Sequence, residues 1–359
     1  MNELARYHES LGARLAPDRI PLDYGDPAAE YRAALSGTIL LDRSHEGRIL
    51  LRGRDRFELV NRMSTNDVAA LTQRQGRPTV FTNSNARILF RASCYSLAAG
   101  LLLVSEAGQG EALATYLRRN IFFGDDARVD DISAATAHFA LHGMGASAAV
   151  GDLVPNSGAI APLACDEVES EFGQLIIARR KSICGDHWIL IVPQASAVAL
   201  HSRLLQCGSR ARLLPAGSLT YNCLRIRSGR PAGPELTSAY IPLELGLWDE
   251  ISFSKGCYTG QEIIARLESR GRLAKILVKL ALSSMSPAPA PVFAGDKEVG
   301  LLTSSVQSAA GHIFALAVVR LANARPGNIL AIGPQRLEAR LVDYAGAPPP
   351  YVLREQAGA

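Results

Sequence analysis

No two of the six cysteines in this 359-residue chain form a CxxC pair; they stand at Cys94, Cys165, Cys184, Cys207, Cys223 and Cys257. Cys184 with His187, and His138 with His142, have ligand-like spacing, but neither has the second pair that a tetrahedral zinc site needs. No metal site is expected. In a chain of this length such cysteines fit free thiols in a reducing compartment better than a disulfide framework. Long apolar runs are missing too: 101–104 and 313–319 are among the longest, far short of the roughly 20 residues that span a bilayer. The opening MNELARYHES has neither a secretory apolar core nor the Arg-rich, acid-poor texture of a presequence. These absences point to a cytoplasmic protein with no membrane partner.

Charge of one sign is also lacking. Lys and Arg number 38 against 34 Asp and Glu, for a formal net charge of +4. That balance permits a nucleic-acid partner without demanding one. What is present is an ordinary globular composition, 48% hydrophobic and 20% charged, with no internal repeat. Cores stop growing beyond roughly 250–300 residues, so two or three domains are expected.

Short strands and single helices alternate without βαβ regularity, which reads as α+β. Helical spacing covers 28–36, 54–63, 109–120 and 195–206, and in 109–120 Leu113, Tyr116 and Leu117 share one face. Strand-like runs fall at 38–41, 48–51, 78–82, 87–95, 100–105, 139–141, 175–178 and 188–192. From about 274 the texture changes to strand 275–282, a Pro-rich stretch and short strands with turn residues, as in a small β-barrel or sandwich. Expected boundaries are 1–130, 131–273 and 274–345, with 346–359 a loosely held tail.

The informative stretch is ISFSKGCYTGQEIIARLESRGRL, residues 251–273. Gly256 and Gly260 allow sharp turns and close approach of a ligand. Thr259 and Glu262 have the spacing of a capping box, and Gly271 is placed to stop the helix that follows. Cys257 then lies just ahead of a helix N-terminus with Lys255 close by, surroundings that favour a thiolate or a bound carboxylate. The same spacing also suits a small buried thiol and a Glu262 that only caps.

KGCYTGQE (Lys255–Glu262), with Arg266 and the Arg270-Gly271-Arg272 turn, resembles the signature of the YgfZ family of folate-binding proteins, a branch of the glycine-cleavage T-protein superfamily. The runs 51–68, 224–254 and 300–308 look like family segments as well, so the resemblance extends over roughly residues 20–335. It implies three domains round a central channel that holds tetrahydrofolate, the last domain being a β-barrel. It further implies service to iron–sulfur cluster assembly or repair, with iron–sulfur enzymes or assembly proteins as partners.

Where T-proteins carry a paired acidic motif, the similar stretch here, Ala86–Arg91, has Phe90 and Arg91. Without that carboxylate nothing obvious accepts a proton from the transferred amine, and an arginine there would repel a cationic group. The usual aminomethyl transfer is therefore not expected. A one-carbon transferase with a re-sited acid, for which Asp186 is the candidate, and a non-catalytic scaffold remain as alternatives. By the resemblance, Cys257 is the reactive or ligand-contacting residue and Lys255 its electrostatic aid. Tyr258, Arg225, Glu244 and Gln261 would then contact the folate: Tyr258 by stacking, Arg225 by clamping a carboxylate. A core ring, an ion pair and a helix-start acid are the plain accounts of Tyr258, Arg225 and Glu244. Direct nucleic-acid binding is not expected from Arg266, Arg270, Arg272, Lys275 and Lys279, because no aromatic lies between Tyr258 and Phe293. Pairing of Glu262 with Arg266 at i,i+4 on a solvated helix is the simpler account.

Overall fold

The computed structural model describes residues 3–207, 212–271, 273–346 and 348. The chain is mixed α+β, and its contacts divide it into two compact units built of interleaved segments. The first comprises 1–61, 68–78 and 92–224; the second comprises 62–67, 79–91 and 225–359. The expected boundaries at 130 and 273 fall inside these units.

The first unit is organised on a six-stranded sheet in the order Cys165–Ser170, Gly173–Arg179, Asp186–Pro193, Thr136–Gly143, Thr38–Asp42, Leu213–Ala216. Only the last pairing is parallel. Strands 136–143 and 186–193 are buried on both faces, as central strands are, with His138, His142 and His187 among their apolar residues. Leu40, Phe139, Leu141, Trp188 and Leu190 pack with Leu200 and Leu204 of helix Ala197–Cys207. In helix Gly110–Arg119, Leu113 and Leu117 are buried while Tyr116 is half-buried, close to the face read from spacing.

Polar side chains buried in this unit are drawn together rather than scattered. Glu46 accepts from Arg43 Nε at 2.9 Å and from Arg180 Nη1 at 2.8 Å. His8 bridges Tyr24 Oη and Asp42 Oδ2 at 2.8 and 3.1 Å. His201 is enclosed by the rings of Tyr7, His8 and Phe139, with centroids 5.0–5.4 Å away. Burial drives the imidazoles of His138 and His201 down to about 3 and that of His45 to about 4. All three are neutral near pH 7.

The second unit ends in a closed six-stranded barrel, in the order Lys275–Leu282, Ile313–Arg320, Lys297–Gln307, Ala290–Ala294, Ile329–Ile332, Leu337–Tyr344. The period-two pattern selects its interior: Ile276, Val278, Leu280 and Leu282 of one strand meet Ala315, Ala317 and Val319 of its neighbour. Tyr258, Ile264, Ile241 and Leu243 join that apolar cluster, so the motif segment is anchored on the barrel's core. Most of the expected tail, 347 and 349–359, lies outside the described residues. Among the described residues no helix is long and apolar enough to cross a membrane.

Candidate functional site

The KGCYTGQE loop belongs to the second unit and is pinned by segment 62–67 of the same unit. Ser252 N donates to Thr65 O at 2.9 Å, Thr259 N to Arg62 O at 3.2 Å, and Thr65 Oγ1 to Glu250 O at 2.6 Å. The strongest tie is Lys255. Its ammonium donates to the carbonyls of Ser64 and Asn66, both at 2.7 Å, and lies 4.9 Å from the Tyr258 ring centroid. A buried ammonium must find acceptors, and here they are backbone carbonyls. Lys255 is a tether of this loop, where its sequence position suggested an aid to Cys257.

Cys257 is exposed, alone among the six free cysteines in that respect. The helix that follows, Gln261–Arg270, starts differently from the expected capping box. Its N-cap is Gly260 at φ +87°, with no side-chain cap bond. Thr259 is committed elsewhere, its N–H donating to Arg62 O and its carbonyl accepting from Thr82 Oγ1 at 2.6 Å, and Glu262 is exposed. A Cβ at Gly260 would sit 2.7 Å from Asn83 O, so the site requires glycine for its space as well as its angle. Gly256, by contrast, has open space around it. Gly271 ends the helix at φ +57°, as read from the sequence. Glu262 and Arg266 are exposed and no ion pair joins them; Arg270 and Lys275 are exposed, Lys279 lies 3.6 Å from Asp343, and Arg272 lies outside the described residues.

The folate-contact candidates separate by their own bonding. Gln261 is half-buried at the first helical position. Tyr258 is buried in the barrel cluster, and burial pushes its phenol up to about 12. Glu244 accepts from Ile241 N through Oε2 at 3.1 Å, the helix-start account, and burial raises its carboxyl. Arg225 is buried and faces the protein: Nη1 donates to Glu235 at 3.0 Å, Nη2 to Ser304 Oγ at 3.0 Å, and Ser304 closes the triangle on Glu235 at 2.6 Å. The ion pair is thus internal, and the carboxylate expected from a ligand is supplied by Glu235.

Arg91 carries the finding that sequence reading missed. Its Nε and Nη2 grip both oxygens of Glu250, at 2.8 and 2.5 Å, with the carboxylate 1% exposed. The repulsion expected of an arginine here is therefore cancelled by a fixed negative partner. In the first unit Asp186, the candidate substitute acid, is paired with Arg179 at 3.3 Å and accepts from Ser147 Oγ. Cys184 Sγ donates to Ala34 O, and the His187 ring lies 3.9 Å from that of His142, tilted by 36°. Among the described residues no three His, Cys, Asp or Glu are grouped to hold a metal ion.

The chain is thus two α+β units of interleaved segments, the second with a closed barrel and a glycine-bracketed cysteine loop anchored on it. The GCVT N-terminal domain family model matches residues 8–255, and the chain belongs to that family. A chloroplastic protein of Arabidopsis thaliana, At1g60990, which carries a transferase name, is 30% identical over 331 residues, covering 90% of this chain and 74% of the relative. An aminomethyltransferase of Moorella thermoacetica is 28% identical, covering 87% of each chain. The crystal structure of glycine cleavage system aminomethyltransferase T from Bartonella henselae shares the fold, at TM-score 0.84 and 22% identity over 95% of this chain and 96% of that one.

Proposed function

We propose that the protein binds tetrahydrofolate at the KGCYTGQE loop and acts as a YgfZ-type accessory of iron–sulfur cluster assembly or repair, in the cytoplasm, with Cys257 as its functional thiol. The observation that carries this reading is Cys257 itself: an exposed thiol on a loop that five hydrogen bonds, two of them from a buried lysine, hold in place. A thiol kept only for packing would be covered. The residues present suit a reduced pterin in part. Glu244 holds Ile241 N through Oε2, with Arg87 3.9 Å from the same oxygen, and half-buried Gln261 offers both a donor and an acceptor. Tyr258 is buried in the barrel cluster, and Arg225 is left to the protein interior.

Tetrahydrofolate, when bound, brings a carrier for one-carbon units; the chain's own part is to hold it and to present the Cys257 sulfur. Where the resemblance puts the acid of T-protein chemistry, this chain has Arg91, whose guanidinium engages both oxygens of Glu250. The relatives named as aminomethyltransferases support the alternative of a folate-dependent one-carbon transferase. Calorimetric titration with tetrahydrofolate, in the wild type and in Cys257→Ala, separates the readings. Saturable binding in both, with loss of cluster-repair activity only in the variant, is the expected result. Folate-dependent turnover of an aminomethylated or methylated donor would favour the transferase. Full repair activity in Cys257→Ala would leave the loop a scaffold.

A further inference from the structure

Helix Glu3–Ser10 has eight residues, and an isolated helix of that length does not hold in water. It forms because it is docked. Its buried residues are Leu4, Ala5 and His8, and Leu4 joins the apolar cluster of Leu40, Phe139 and Leu200. The seam holds two imidazoles, His8 of this helix and His201 of helix Ala197–Cys207, both wholly buried in the first unit. Their rings meet edge to face at 5.0 Å and 82°. The two are bonded very differently. His8 is engaged at both nitrogens, by Tyr24 Oη and Asp42 Oδ2. Neither ring nitrogen of His201 has a hydrogen-bond partner. Buried polar atoms are nearly always paired, so an imidazole orphaned at both nitrogens is an exception. Rings close its other sides, Tyr7 at 5.4 Å and Phe139 at 5.3 Å. The titratable groups facing it are therefore Tyr7 and His8 from the N-terminal helix and Asp42 from strand Thr38–Asp42. Tyr24 stands behind His8, its N–H held by Glu30. Phe139 of strand Thr136–Gly143 brings no charge, and Glu3, Arg6, Glu9 and Arg203 of the two helices are exposed.

We propose that helix Glu3–Ser10 is an acid-released latch, which undocks when His201 takes up a proton while the central sheet stays folded. In the docked state that proton has no acceptor to share it and a second imidazole 5.0 Å away. Burial first, and His8 second, hold His201 down to about 3, against the pull of the Asp42 charge. Undocking brings water to the ring and returns it towards its ordinary value of about 6.5. A value depressed in the docked state favours docking fully above about pH 6.5. Each pH unit below that shifts the equilibrium about tenfold towards the open form. Opening is local because the helix is terminal and carries only three buried residues, far less than global unfolding exposes. It uncovers the Asp42 carboxylate, His201 and the part of the apolar cluster that Leu4 covers. The latch lies in the first unit and is independent of the folate reading.

Hydrogen exchange of the full-length protein, read as protection factors corrected for the intrinsic pH dependence of exchange, tests the latch. The reporters are the amides of Leu11, Gly12 and Ala13, which bond to the helix carbonyls of Tyr7, His8 and Glu9. Strands Thr136–Gly143 and Asp186–Pro193 are the reference. Between about pH 6.5 and 4.5, reporter protection is expected to fall about tenfold per unit in the wild type, the reference strands staying protected. Two variants remove the proton acceptor. His201→Phe fills the ring's place among its aromatic neighbours, and His201→Gln keeps a polar group that does not titrate. In both, the fall is expected to vanish. Reporter protection independent of pH in the wild type would overturn the latch. A fall that survives in either variant would also overturn it, putting the proton on another group. A fall shared equally by the reference strands would do the same, since the whole unit would then be unfolding.

Discussion

Lys255→Met separates a tether from a chemical group. The substitution keeps the apolar stem and removes the ammonium that holds the carbonyls of Ser64 and Asn66, each at 2.7 Å. Hydrogen bonds from a charged donor contribute about 1.5–3 kcal/mol each, and carbonyls left buried and unpaired cost about 1–3 kcal/mol. Against this stands the relief of no longer burying a charge, which is of the order of several kcal/mol. The net expectation is a loss of about 3–5 kcal/mol, the two charge-assisted hydrogen bonds and the stranded carbonyls outweighing that relief. At roughly 2–4 °C per kcal/mol for a unit of 150–250 residues, melting should fall by about 10 °C. Differential scanning calorimetry, followed by tetrahydrofolate titration below the new transition, reads both effects. Lys255→Arg should recover part of the stability, its longer fork meeting the same acceptors imperfectly. A Lys255→Met protein that melts with the wild type yet loses activity would refute the tether and restore Lys255 as an aid to the thiol.

Four further outcomes follow from the same geometry. Gly260→Ala, at φ +87° and with a Cβ 2.7 Å from Asn83 O, should cost about 2–4 kcal/mol in urea unfolding, whereas Gly256→Ala should be neutral or slightly stabilising. Arg91→Met leaves Glu250 buried and unpaired and should cost about 3–5 kcal/mol, while Arg91→Met with Glu250→Gln should restore most of it; equal losses in both would refute the pair as an isolated unit. Stability should fall as pH drops from about 6.5 towards 4, because His45, His138 and His201 have depressed folded values and the unfolded chain takes up protons they refuse. Each contributes at most about 1.4 kcal/mol per pH unit there, so His201→Phe, among the rings of Tyr7, His8 and Phe139, should flatten the urea midpoint's pH slope by one proton. Cys257→Ser should leave the melting temperature unchanged, since the thiol is exposed.

What the sequence discloses about this protein is mostly what neighbours along the chain decide. Strand Lys275–Leu282 was legible residue for residue because apolar side chains recur at every second position, and Gly271 because a helix stop is a local event. The α+β texture and the late barrel follow from the same kind of signal. The capping box was misread because the Thr259 N–H, from which Glu262 would accept, is taken by the carbonyl of Arg62, and a long-range bond leaves no mark on local spacing. Arg91 and Glu250 meet across 159 positions, and Lys255 reaches acceptors 189 and 191 positions earlier. The motif's composition therefore located the loop, while the partners that fix its side chains could come only from the folded chain. Arg225 shows the same limit: its guanidinium is a plausible clamp in sequence, and Glu235 and Ser304 take it in the structure.

The interleaving of segments 62–67 and 79–91 with 225–359 has a consequence for how the motif could be moved or made. During synthesis the acceptors of Lys255 leave the ribosome about 190 residues before the lysine does, so they wait without their donor while that whole stretch is made. A fragment cut to begin at Arg225 would keep every letter of KGCYTGQE and the whole barrel, yet lack the carbonyls that seat the loop. Grafting the signature onto another scaffold would transplant the cysteine without its mooring. Inheritance of this site therefore requires inheritance of two distant stretches of chain at once.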